Sequence, residues 1–358
     1  MKESRIDLLN IGLIFISLIA AYRIPFELFL FSYAVLGPLH YLTEVQWLWE
    51  RSFFIPKPAP LALGLAVPAL LVSLPQLFLP IPEVHDFLMA DLWGSSRLMI
   101  GTCSLLFLTF LYAGYLVWIR REGLPLPFLV ILLLCAGGII WNPEGGLMMV
   151  GVFLPTLVHV YIFTMLFILF GALKRNSFTG YLNALVLVTV PFIILISPLN
   201  LNKYLPSEEV KNTLIGSGFH SVTYMISKWI GTTTDNFYLL SKANIKIQIF
   251  IAFAYTYHYL NWFSKTRTIG WQKTLKGRRG MVILGLWILS VGLYAYDYKV
   301  GFTALFALSM LHVFMEFPLN WTSIQGIMGM ARGVGASQLS GASGLGTEGP
   351  PASAKSGK

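Results

Sequence analysis

Apolar runs long enough to cross a bilayer, and nearly free of charge, recur from one end of this chain to the other. "LLNIGLIFISLIAAY" (8–22), "FELFLFSYAVL" (26–36) and "LVLVTVPFIILI" (185–196) are the cores of three of them. A hydrocarbon layer of about 30 Å is crossed by about 20 such residues in helical form. In lipid every backbone N–H and C=O must find its partner inside the protein, which leaves helices or a closed barrel. The period-two alternation of barrel strands is absent. The fold class is therefore an all-α polytopic membrane protein. Composition agrees: 56% of residues are hydrophobic and 11% charged, with mean hydropathy +0.70, whereas a soluble domain carries about 25% charged residues.

About ten transmembrane helices fit, near 7–22, 24–48, 60–80, 94–119, 125–141, 147–172, 179–198, 241–264, 280–297 and 301–325. The N-terminal apolar stretch reads as the first of these rather than a cleaved signal, because a second span follows at once. Lys and Arg gather after every second span: Arg51 and Lys57, Arg120 and Arg121, Lys174 and Arg175, a group from Lys265 to Arg279, then Arg332. The loops after the third, fifth and ninth spans are poor in them, and one, "IPEVHDFLMAD", is acidic, while the long segment after the seventh holds Lys203, Lys211 and Lys228. Basic loops stay in the cytoplasm, so both termini are expected there. The net charge of +9 is thus a matter of membrane orientation and lipid contact, with no nucleic-acid site. The 265–279 loop reads as a surface facing anionic membrane lipids. An integral protein of a prokaryotic inner membrane is the expected location.

Residues 1–329 form a single helical bundle in this reading. Within it, 199–240 is amphipathic and is expected as one or two helices at the outer interface. Residues 330–358, rich in Gly, Ser and Ala, cannot bury a core and are expected to be disordered. Cys103 and Cys135 both fall inside spans and read as packing residues.

The polar residues inside the spans carry the functional signal. Of six histidines, His85 and His220 fall in outer loops and read as solvated. His40, His159, His258 and His312 fall in the second, sixth, eighth and tenth spans. All four spans run in the same direction. At ~1.5 Å rise per residue, the four histidines lie within roughly 10 Å of one another in depth. Ionisable groups in a bilayer are costly and face the bundle interior, so four at one level point to a shared metal ion. Glu44 follows His40 by four residues in "HYLTE", and Glu316 follows His312 by four in "HVFME". That spacing puts each pair on one helical face. Each carboxylate is placed to accept the second imidazole N–H and orient the ligand, or to coordinate directly. Asn261 offers a weaker version of that role to His258, and Thr156 is the one polar residue at helical spacing from His159.

Imidazole without thiolate suits Fe, Zn or Cu, and four histidines with open positions favour non-haem Fe(II) acting with O2. Zinc hydrolysis lacks its HExxH helix. The placement of "GPLHYLTE", "TLVHVYIF", "TYHYLNWFSK" and "MLHVFMEF" resembles that of the bacterial and archaeal Brp/Blh family of membrane β-carotene-cleaving dioxygenases. The likeness covers these short motifs and no continuous stretch, and Glu44 stands where the family has aspartate. It implies an Fe(II) centre held by His40, His159, His258 and His312, with Glu44 and Glu316 serving catalysis. It also implies O2-dependent cleavage of a carotenoid to a retinal-like aldehyde. A site inside the bilayer meets lipid-soluble molecules in any case, and Phe31, Tyr33, Tyr41, Trp47, Tyr255, Tyr257, Tyr259, Trp262 and Phe314 flank it, either as tunnel walls or as ordinary packing. Three other readings stay open: haem b electron transfer through paired histidines, a transporter relaying protons through His–Glu pairs, and a structural subunit without chemistry.

Overall fold

The computed structural model describes residues 3–52, 58–78, 81, 83–84, 95–118, 149–200, 204–232, 238–266, 270 and 277–331. Among them the chain is helical, with no strand. The order is α1 (Glu3–Arg23), α2 (Pro25–Phe31), a π-helical turn (Ser32–Leu36) running into α3 (Gly37–Glu50), α4 (Pro58–Leu77) and α5 (Ser95–Trp118). A second π-helical stretch (Met149–Phe163) then leads into α6 (Thr164–Arg175). It continues with α7 (Phe178–Ile196), α8 (Glu208–Gly216), α9 (His220–Trp229), α10 (Lys242–Ser264), α11 (Gly277–Tyr296) and α12 (Tyr298–Ala331).

Among the described residues, seven helical segments are long and apolar enough to cross a membrane: Ser4–Arg23, Pro25–Glu50, Ile100–Trp118, Phe153–Arg175, Phe178–Ile196, Gly277–Tyr296 and Tyr298–Met330. The expected span at 125–141 and the tail after 331 lie outside the described residues. The expected span at 60–80 is a helix whose apolar part, Ala62–Leu77, is shorter than the others. The expected span at 241–264 is α10, which is not among the seven. Its Tyr, Thr, His and Asn residues lower its hydropathy. It tolerates them because it is buried on nearly every side, from Asn244 to Asn261, and contacts α1, α2, α3, α7 and α9 as well as both π-helical stretches. A helix shielded by other helices need not be apolar toward lipid. The outer helices do the reverse, exposing Phe15, Ile16, Ile19, Leu108, Leu185, Leu284 and Ile288, an apolar belt of the kind that faces acyl chains.

Polar contacts gather the basic helix ends on one face. Asp7 near the start of α1 accepts from Arg175 Nη2 at 3.1 Å and from Ser177 and Thr179 hydroxyls at 3.0 Å each. Ser264 at the end of α10 donates to Asn10 at 3.0 Å, and Arg279 donates to Glu50 at 3.3 Å. On the opposite face Tyr22 pairs with Ser197 at 2.6 Å. There α8 and α9, the expected interfacial helices, pack against α2 and α10. Cys103 is buried as expected.

Asp7 is buried and satisfies three donors from the segment joining α6 to α7. Asp7→Ala is expected to cost about 2 kcal/mol, the scale of hydrogen bonds to a charged group, read as a lowered unfolding midpoint in detergent with metal content unchanged. An unshifted midpoint would contradict this role.

Candidate metal centre

The first ligand helix owes its shape to the "GP" before "LHYLTE". Pro38 has no N–H and cannot continue an α-helical ladder. The preceding turn widens, and Gly37 N–H bonds back five residues to Ser32 C=O. Gly37 also lets the helix approach α10, since a Cβ there would sit 3.2 Å from the Tyr259 hydroxyl. Pro155 similarly lies inside the π-helical stretch that carries His159. Such wide turns are frequent at functional sites, and here the first precedes His40 and the second contains His159.

The structure brings His40, His159, His258 and His312 together. They are 1%, 1%, 6% and 5% exposed. His40 Nε2 lies 3.0 Å from His258 Nε2, and His312 Nε2 lies 3.2 Å from His159 Nε2. One nitrogen from each of His40, His159 and His312 falls within 4.8 Å of the other two. Nitrogens bound to one ion at ~2.0–2.1 Å stand roughly 2.9–3.4 Å apart in tetrahedral or octahedral arrangements. Both close pairs match that spacing. In each pair Nε2 faces Nε2; His258 meets His40 in this way but is not one of the three that share the 4.8 Å group.

The outward nitrogens show how the rings are oriented. His258 Nδ1 hydrogen-bonds the Thr164 hydroxyl at 2.7 Å. His159 Nδ1 lies 3.2 Å from Glu316 Oε2. The expected pairing of Glu316 with His312 on its own helix is thus replaced by one across helices, and His159 has the acidic neighbour that its own segment lacks. Asn261 does not serve His258, since Thr164 holds that position. Thr164 follows His159 by five residues on another helix, and no spacing in the sequence marks it. Glu44 keeps its expected partner, with Oε2 at 3.0 Å from His40. The contact is to Nε2, the inward nitrogen. Glu44 is therefore placed beside the donor set itself, while Glu316 stands behind a ring.

The imidazole layer has two different sides. The ligand helices run parallel, so residues that follow each histidine lie toward the basic face. There sit Glu44, Asn261, Glu316 and Asn320, each at most 5% exposed. Among the described residues, neither Asn320 side-chain atom has a hydrogen-bond partner. His312, Glu316 and Asn320 recur every four residues along one face of α12. On the other side is a cavity of about 190 Å³, with His159 and His312 at its inner end. Of the nine flanking aromatics named from the sequence, Tyr33, Tyr255 and Tyr259 line it. Tyr41, Tyr257 and Phe314 are fully buried core residues, and Phe31 is 55% exposed. Trp262 packs edge-on to His40 at 5.5 Å and donates to Thr43 at 3.0 Å. The walls that the sequence did not single out are Phe29, Phe219, Phe302 and Phe306. His220 lies at the start of α9, half-buried, and His85 is outside the described residues.

Searches of family models, of curated proteins and of solved structures find no match to this chain.

Replacing any of His40, His159, His258 or His312 by Ala is expected to strip the metal from purified protein, measured by elemental analysis. Glu316→Ala and Thr164→Val should each weaken metal binding by about 10–100-fold, the usual effect of losing a group that orients a ligand. Glu44→Ala should weaken it at least as much. Full metal retention by a single His variant contradicts a four-imidazole site.

Proposed function

We propose that this chain is an integral membrane non-haem Fe(II) oxygenase acting on a lipid-soluble substrate, with oxidative cleavage of a carotenoid to a retinal-like aldehyde as the lead reaction. The observation that carries the proposal is the convergence of four buried imidazoles, Nε2 facing Nε2 at 3.0 and 3.2 Å, next to an aromatic-lined cavity. Neutral imidazole and carboxylate donors without sulfur suit Fe(II). The likeness of the four motifs to the carotenoid-cleaving family supplies the reaction class.

In this reading His40, His159, His258 and His312 hold the ion, and Glu44 stands ready as a further oxygen donor. Iron so held supplies the activation of O2 for attack on a double bond. Glu316 and Thr164 fix the ring planes of His159 and His258. The aromatic walls keep water from the reacting end of the substrate. Buried carboxylates and amides accompany the centre toward the basic face, Glu44, Asn261, Glu316 and Asn320, while the cavity on the other side is mainly aromatic. The gathering of the Arg175 and Arg279 ends on one face favours that face as the cytoplasmic one; about ten spans, both termini inside and a prokaryotic inner membrane belong to the same reading.

A haem fits less well. Imidazole pairs in mutual contact leave no room for a macrocycle between them, and the cavity is small for one. A proton-relaying transporter is the second reading, favoured by the stripe from His312 through Glu316 to Asn320. Proton-coupled flux in proteoliposomes would support it.

The purified protein is expected to contain one iron per chain, to show no Soret band, and to consume O2 while converting a carotenoid in membranes to an aldehyde. Stoichiometric haem, or no transition metal at all, contradicts the proposal.

A further inference from the structure

Toward the basic face from the imidazole layer, buried polar atoms gather without partners. The ring centroids of His40 and His312 stand 5.4 Å apart, on helices α3 and α12, which pack together. Glu44 and Glu316 each follow by four residues, so the two carboxylates come side by side one turn deeper, close enough for their charges to act on each other. Asn320 follows Glu316 by one further turn on the same face of α12. These three residues are 2%, 1% and 1% exposed. Among the described residues, Glu44 Oε2, both Glu316 carboxylate oxygens and both polar atoms of the Asn320 side chain make no hydrogen bond.

The donors that follow the same histidines are committed elsewhere. Thr43 donates to the Leu39 and His40 carbonyls, and Trp262 donates to Thr43. Trp321 donates to the Phe110 carbonyl, Thr322 to the Pro318 carbonyl and Ser323 to the Leu319 carbonyl. Orphaned buried polar atoms are costly and rare, so a small polar guest is expected among these. Chemistry chooses it. A cation would take the oxygens but repel the Asn320 N–H, and it would add a charge beyond the two carboxylates that already balance one divalent ion at the imidazoles. Water donates to the oxygens and accepts from the N–H.

We infer that Glu44, Glu316 and Asn320 enclose a buried site for about two water molecules, since a buried water makes about three hydrogen bonds. Asn320 acts through that water as a positioning residue, holding the Glu316 carboxylate at its 3.2 Å distance from His159 Nδ1. The water site stands on the orphaned atoms themselves. Its bearing on a metal ligand rests on the oxygenase proposal above.

X-ray radiolytic footprinting of the full-length protein in detergent tests it, because hydroxyl radicals formed from buried water oxidise the side chains beside that water. Phe317 and Trp321, each fully buried and next in sequence to Glu316 and Asn320, should be oxidised. Phe26 and Phe253, likewise buried, should not. Asn320→Leu, which offers water no partner, should abolish that oxidation and weaken metal binding by about tenfold. Asn320→Ser, whose hydroxyl both donates and accepts, should retain both. No oxidation of Phe317 and Trp321 in the wild-type protein, or undiminished oxidation in Asn320→Leu, overturns the water site. So does a second stoichiometric cation in elemental analysis that is lost in Asn320→Leu. Loss of the oxidation with metal binding unchanged overturns the positioning role. Metal content of the same samples separates the two proposals. Iron without the oxidation overturns the water site and leaves the oxygenase reading intact. Oxidation without metal leaves the water site and overturns its bearing on a metal ligand.

Discussion

Four imidazoles and two carboxylates held away from water must find partners, and that requirement organises the interior of this bundle. An unpaired polar group in an apolar medium costs several kcal/mol, and a charge far more. Here each of those six side chains is at most 6% exposed. The protein answers by turning them on one another, Nε2 toward Nε2 and carboxylate toward imidazole. That arrangement hydrogen-bonds the outward nitrogen of His258 to Thr164 and sets the outward nitrogen of His159 3.2 Å from the Glu316 carboxylate. It leaves the inward nitrogens crowded at distances that a cation would reconcile. The cost of assembling such a set without an ion is the physical reason to expect one.

Two apolar clusters meet around the imidazoles. Tyr33 and Ala34, before His40, belong to one apolar cluster, and Trp47 and Leu48, after it, to another. Along α12, Phe302 belongs to the first, and Phe314, Phe317 and Trp321 to the second. On the helix of His159 their order is reversed, with Leu154 before it in the second and Val160 and Tyr161 after it in the first. The first cluster surrounds the aromatic cavity and is capped by the amphipathic α8 and α9. Through the second runs the polar stripe of Glu316 and Asn320.

Much of this was legible in the residues. Hydropathy gave the helical membrane class, and the depth of each histidine in its span was enough to bring four helices to one level. His40 with Glu44 at four-residue spacing was readable because both lie on one helix. The pairing of Glu316 with His159 was not, because it depends on how α12 is rotated against the π-helical stretch before α6. Thr164 was invisible for the same reason. Helical periodicity says which residues share a face, and only packing says which face meets which. Helix α10 shows the complementary limit. Its hydropathy is too low to announce a span, since a helix wrapped by others is selected for contacts with protein rather than lipid. The role of Phe219 was hidden in a segment whose amphipathic pattern indicated only an interface.

The central claim is that the four imidazoles share one ion. X-ray absorption at the iron edge of the purified protein tests it most directly, because imidazole rings give a distinctive multiple-scattering pattern beyond the first shell. The account predicts a nitrogen and oxygen shell near 2.1 Å with outer-shell scattering that requires about four imidazoles. A spectrum fitted without imidazole, or with sulfur or porphyrin scattering in its place, would contradict it.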